Sequence, residues 1–287
     1  MRWRGQGGSS NIEDKRGIGV GGMAAGGGIG AVVIAIISML LGVDPSGMVP
    51  GGGDPGAPGG TSTQVNPPPQ PGQDTLYDFV STIVHSTEQV WGAEFQRQGG
   101  QYQEPKLDVF TNQVESACGI AGSEVGPFYC PRDHKVYLDM SFFQELSQRF
   151  GASGQFADAY VIAHEVGHHV QSLTGVTDKV EEAVSRGAER EGPTGLSVRT
   201  ELQADCYAGI WGSKSEQEKH WLDPGDVESA MNAAGAIGDD RLQKQARGQV
   251  APESFTHGTS EQRVRWFKRG YDSGDMRQCD TFSAASL

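Results

Sequence analysis

Apolar residues recur at helical spacing over residues 74–98, where Leu76, Phe79, Val80, Ile83, Val84, Val90, Trp91 and Phe95 fall on one side. That pattern predicts an amphipathic helix. Residues 106–110 alternate as a strand does, and 126–130 and 135–139 flank a polar turn at 131–134, which predicts a hairpin. A short helix is predicted from Ser141. After the turn at 151–154 comes a longer helix over 155–171, free of Pro, with Phe156, Tyr160, Ile162, Val166 and Val170 as its apolar stripe. Further helices are predicted over 179–184, over 200–211 with Thr200 or Ser197 as cap, over 215–221 and 224–248, and after a capping signal at 259–260. The result is a mostly helical domain with a small sheet. His85 and His134 fall within it as packed or surface residues.

Upstream the pattern changes twice. Residues 17–43 carry no charge and end in an apolar run over 29–43, and a bilayer span needs about 20 such residues. A transmembrane helix is therefore predicted over 17–43. Lys15 and Arg16 precede it and Asp44 follows it, so the positive-inside rule predicts a single-pass cell-membrane protein with a cytoplasmic N-terminus and an extracytoplasmic body, periplasmic or extracellular. A cleaved signal peptide is the rival, and no small-x-small site follows the run. Residues 44–73 are dominated by Pro and Gly and predict a flexible linker. The expected organisation is a basic N-terminus (1–16), a span (17–43), a linker (44–73) and a folded domain (74–287).

Charge and cysteine content narrow the function. The 287-residue chain has a formal charge of −13 and a pI near 4.9, and an acidic body repels polyanions, so nucleic acid is excluded as a partner. Four cysteines in an extracytoplasmic domain predict two disulfides, with three connectivities open. Cys118 with Cys130 is the short-range choice, and Cys206 with Cys279 would then tie a helix to the C-terminal segment. Zinc held by all four lacks any CxxC spacing.

The candidate chemistry lies in the helix over 155–171, which contains His164-Glu165-Val166-Gly167-His168. Four residues is close to one turn, so the two imidazoles share a face and can share one Zn2+ ion. Glu165 lies beside that ion, where a carboxylate can take a proton from water. Gly167 lets another backbone come close over the metal. A hydrolytic zinc site takes a third protein ligand. Glu201 supplies it, and Asp205, four residues on, would hold the far ring nitrogen of a ligating His. Cys206 is turned about 100° away around the helix.

The pairing of His164-Glu165-xx-His168 with Glu201-xxx-Asp205 resembles the gluzincin metallopeptidases, and its wording is similar to the CAAX prenyl protease and heat-shock membrane protease group. Nearly the whole chain resembles the bacterial neutral zinc metallopeptidase family. The resemblance rests on Met1-Arg2-Trp3, the segment 11–17, Cys118-Gly119, the segments 126–131 and 136–139, both metal motifs, and His257-Gly258-Thr259-Ser260. It implies an α+β, zincin-like domain that hydrolyses protein or peptide substrates. It also implies a strand along the cleft that pairs with extended substrate, and a His near position 257 that faces the metal and stabilises an oxyanion; this chain has Gly258 where the pattern often has Pro. The function expected is that of a membrane-anchored zinc endopeptidase. The alternative is a tethered scaffold with structural zinc, which normally uses four protein ligands and no general base.

Overall fold

The computed structural model describes residues 1–17, 66–70 and 72–287. After β1 (Ile12–Asp14), α1 runs over Thr75–Arg97, with Asp74 accepting from the backbone N–H of Leu76 and Tyr77 as its cap. Strands β2 (Lys106–Phe110), β3 (Gln113–Ser116), β4 (Gly119–Gly122), β5 (Phe128–Cys130) and β6 (Lys135–Asp139) follow. The rest is helical: α2 (Phe142–Gln148), α3 (Gln155–Leu173), α4 (Val176–Ser185), α5 (Leu196–Lys219), α6 (Asp226–Ala236), α7 (Asp239–Arg247) and α8 (Ser260–Ser273).

The main sheet has the order β1-β2-β6-β5, with β1, β2 and β6 parallel and β5 antiparallel at one edge. Alternation sorts its two faces. Leu107, Val109, Val136 and Leu138 join the large core with α1 and α3. Phe110 and Tyr137 face the other way, into a small second core beneath the β3–β4 ribbon, with Val114, Ala121 and Val125. Helices α5 and α8 cross so closely that a Cβ at Gly270 would run into the Cys206 carbonyl. The disulfide from Cys206 to Cys279 holds the same region, and a second joins Cys118 to Cys130 at the end of β5.

The fold corrects one expectation. It is α+β with a small sheet, but among the described residues no helix is long and apolar enough to cross a membrane. The transmembrane helix expected over 17–43 lies, from residue 18 onward, outside the described residues. Residues 1–17 pack on the body. Ile12, Glu13 and Asp14 pair in register with Leu107, Asp108 and Val109. Trp3 is buried edge-on against Phe79, with ring centroids 5.5 Å apart, and Arg16 bridges Asp14 and the α1 cap Asp74 at 2.5 and 2.6 Å. Asn66, expected in the linker, donates its N–H to the Asp14 carbonyl at 2.8 Å. Asp14 and Asn66, on the two flanks of the segment outside the described residues, thus lie side by side.

The helix expected from Thr200 begins at Leu196 with Gly195 as N-cap. Neither Thr200 nor Ser197 caps it, and the Thr200 hydroxyl donates back to the Leu196 carbonyl at 2.8 Å.

Candidate metal centre and its cavity

Helix α3 presents His164, Glu165 and His168; α5 presents Glu201 and Asp205. The two helices meet where Gly167 faces Ala204, so the close backbone approach is to α5 rather than over the metal position. A Cβ at Gly167 would lie 3.0 Å from the Ala204 carbonyl oxygen. This contact brings one ligand atom each from His164, His168 and Glu201 within 4.8 Å of one another.

The donor set fits zinc. Ligand bonds of about 2.0–2.1 Å in a tetrahedron put donor atoms about 3.3 Å apart. Glu201 Oε2 lies 3.1 Å from His164 Nε2, and Glu201 Oε1 lies 3.4 Å from His168 Nε2. Both rings have their far nitrogens engaged: His164 Nδ1 meets Asp205 Oδ1 at 2.9 Å, and His168 Nδ1 meets Gln171 Oε1 at 2.9 Å. A proton fixed on each Nδ1 leaves each Nε2 lone pair facing Glu201, the tautomer that a metal ligand requires.

Asp205 is fully buried and satisfied on every side. Arg263, from α8, donates Nε–H to Oδ2 at 2.8 Å and Nη2–H to Oδ1 at 2.9 Å, a bidentate pair. The Tyr160 hydroxyl donates to Oδ1 at 2.5 Å and accepts from Arg263 Nη2 at 3.1 Å. Burial works against the Asp205 carboxylate, but Arg263 and His164 hold its pKa below the usual range. His164 is likewise opposed by burial, and the Asp205 charge and hydrogen bond prevail, raising it to about 10 in the metal-free site. Burial pushes the Glu165 carboxyl up, with the charges of His164 and His168 pulling the other way.

His164, Glu165, His168 and Glu201 line a cavity of about 350 Å³ together with His257 and residues of β5. His257 thus lines the same cavity as the donor residues. The fully buried Asp239, at the head of α7, accepts backbone N–H bonds from Thr256, His257 and Gly258 at 2.7, 2.7 and 3.0 Å, and lies 3.2 Å from His257 Nδ1. The loop before the Thr259 capping box is thereby pinned, and His257 Nε2 is left unengaged by this clamp. Residues 224–248, where composition alone points to no chemistry, contribute to the site through Asp239. Arg263 was equally invisible, being one cation among several in the helix after the capping signal at 259–260. Tyr160 was legible only as an apolar position.

Next to the ligand His168, His169 belongs to a separate cluster. It is buried, its Nε2 lies 2.6 Å from the Gln103 carbonyl oxygen, and its Nδ1 lies 3.1 Å from the Tyr129 hydroxyl. Burial lowers its pKa to about 4 against the opposing carbonyl contact.

Two histidines one turn apart, a carboxylate from a second helix and an unliganded glutamate between them define a zinc-hydrolase class of centre. The chain belongs to the family described as "Putative neutral zinc metallopeptidase", whose model matches residues 1–282. It is 45% identical over 291 residues to "Uncharacterized protein YpfJ" of Escherichia coli (strain K12), covering 98% of this chain and 99% of that protein. It is 43% identical over 264 residues to "Uncharacterized protein Rv2575" of Mycobacterium tuberculosis (strain ATCC 25618 / H37Rv), covering 87% and 86%. No solved structure matches.

Proposed function

We propose that the protein is a zinc-dependent endopeptidase. One observation carries the reading: three metal-donor atoms converge beside a buried, unliganded Glu165 in a cavity bordered by an edge strand. Zinc bound by His164, His168 and Glu201 supplies a Lewis acid that polarises a scissile carbonyl and brings the pKa of water towards ~7. Glu165 takes the proton of the attacking water and passes it to the leaving nitrogen, and its burial keeps that proton affinity high enough for both transfers. His257, held at Nδ1 by Asp239, donates from Nε2 to the oxyanion. Asp205 holds His164 in the ligating tautomer. β5, at the sheet edge, offers its backbone to an extended peptide. The two disulfides support residence in an oxidising compartment.

The test compares the full chain with Glu165→Gln for zinc content and hydrolysis of fluorescein-labelled casein. Near-stoichiometric zinc in both, with hydrolysis reduced by roughly 10²–10⁴ in the variant, is the expected result. Zinc without hydrolysis of casein or a peptide library by the wild type would turn the reading towards a zinc-containing scaffold.

A further inference from the structure

Part of the cavity wall, through Phe128 and Tyr129, is a strand of three residues at the end of a sheet, Phe128–Cys130. A strand that short, paired on one side only, has little of its own to hold it in place. Cys130 is fixed by its disulfide to Cys118. Tyr129 is fixed differently. Its hydroxyl lies 3.1 Å from His169 Nδ1 on α3 and 2.9 Å from His134 Nδ1 in the β5–β6 turn. Ser172, three residues further along α3, also reaches the Tyr129 side chain.

The donors and acceptors in this cluster are mutually consistent. The Gln103 oxygen can only accept, so His169 Nε2 carries the ring hydrogen at 2.6 Å. Nδ1 then accepts from the Tyr129 O–H, and the Tyr129 oxygen is free to accept from His134 Nδ1–H. His134 has φ 57°, in the left-handed region that a non-glycine residue seldom enters. Tyr102 adds an edge-on ring contact to His169, with centroids 5.8 Å apart.

We infer that Tyr129 is a positioning residue that sets the distance between β5 and the metal helix, and so the fit of an extended peptide between them. His169, adjacent in sequence to a metal donor, is the anchor on the helix side, and His134 steadies the hydroxyl from the hairpin side. The edge strand is thereby referenced to the helix that holds the metal rather than to its own sheet alone. The peptide-fitting part of the inference rests on the peptidase reading; the clamp itself does not.

The test uses the full chain with Tyr129→Phe, which keeps the ring and removes only the hydroxyl, and His134→Ala, which lies outside the core. Hydrogen exchange of the amides of 126–132 is expected to quicken in Tyr129→Phe while 156–170 is unchanged. KM for fluorescein-casein should rise roughly three- to tenfold, the worth of about one hydrogen bond, with kcat within about twofold. His134→Ala should move both readouts the same way and less. Unchanged exchange in 126–132 overturns the clamp. Quickened exchange with unchanged KM overturns its role in fitting substrate. If the wild type cleaves no casein, the peptidase reading fails instead, and the exchange of β5 alone decides the clamp.

Discussion

Helix α3 is buried along nearly its whole length, from Phe156 to Gln171, whereas α4, the next helix in the chain, buries no residue at all. Both border the same cavity, α3 with His164, Glu165 and His168 and α4 with Thr177, Val180 and Glu181. The difference divides the site into two halves. The metal half is made of core helices locked by a backbone crossing at Gly270, a disulfide and a saturated ion cluster around Asp205. The rim half is made of an unburied helix and an edge strand. Donor atoms have to be held to within fractions of an ångström for metal binding, whereas α4, which buries nothing, has little packing to hold it.

The strongest way to break this contrast is at Arg263. Arg263→Met leaves the fully buried Asp205 with Tyr160 and His164 alone. A loss of about 3–5 kcal/mol in unfolding free energy is expected, together with zinc affinity weakened roughly 10–100-fold, measured by denaturant titration and by competition with a chelator. Stability and zinc affinity both unchanged would mean that the cluster does not organise the metal half.

A smaller and pH-dependent effect is expected at Asp158, in the first turn of α3. Burial alone raises its carboxyl to about 7, so the folded state favours its protonated form. Below the ordinary carboxylate value it is neutral folded or unfolded. As pH rises from there through 7, its ionisation increasingly favours the unfolded chain. Asp158→Asn should therefore raise Tm by a few degrees at pH 8 and leave it unchanged near pH 3.5, as read by thermal scans. Equal gains at both values would refute the assignment.

The least effect on stability is expected in the rim. Val180→Ser on α4 should change unfolding free energy by less than about 0.5 kcal/mol, since nothing in that helix is buried. A loss of several kcal/mol would show that α4 belongs with the core after all.

How much of this was legible in the chain follows the same division. Periodicity located α1, α3 and the β5–β6 hairpin because each hides one face. The pairs His164/His168 and Glu201/Asp205 were legible because side chains four apart share one helix face, and the structure brings the two faces together. β1 was missed because Ile12-Glu13-Asp14 is too short and too charged to alternate, and only its partner β2 makes it a strand. The β3–β4 ribbon was missed for a related reason, since Gly119, Gly122 and exposed positions leave Val114 and Ala121 as its only buried apolar side chains. Arg263 and Asp239 act across separations of 58 and 18 residues, to Asp205 and His257. No local pattern encodes such partners.

The first strand has a practical consequence for anyone cutting the chain. The composition change near residue 74 invites a fragment that starts there, and such a fragment would lack β1. β2 would then become a bare edge, with the N–H and C=O groups of Leu107 and Val109 unpaired and the Phe79 side of α1 uncovered where Trp3 had lain. An exposed hydrophobic edge of that kind is a template for pairing between molecules. A fragment begun at Asp74 is expected to aggregate, and a soluble one has to carry residues 1–17, covalently or as an added peptide.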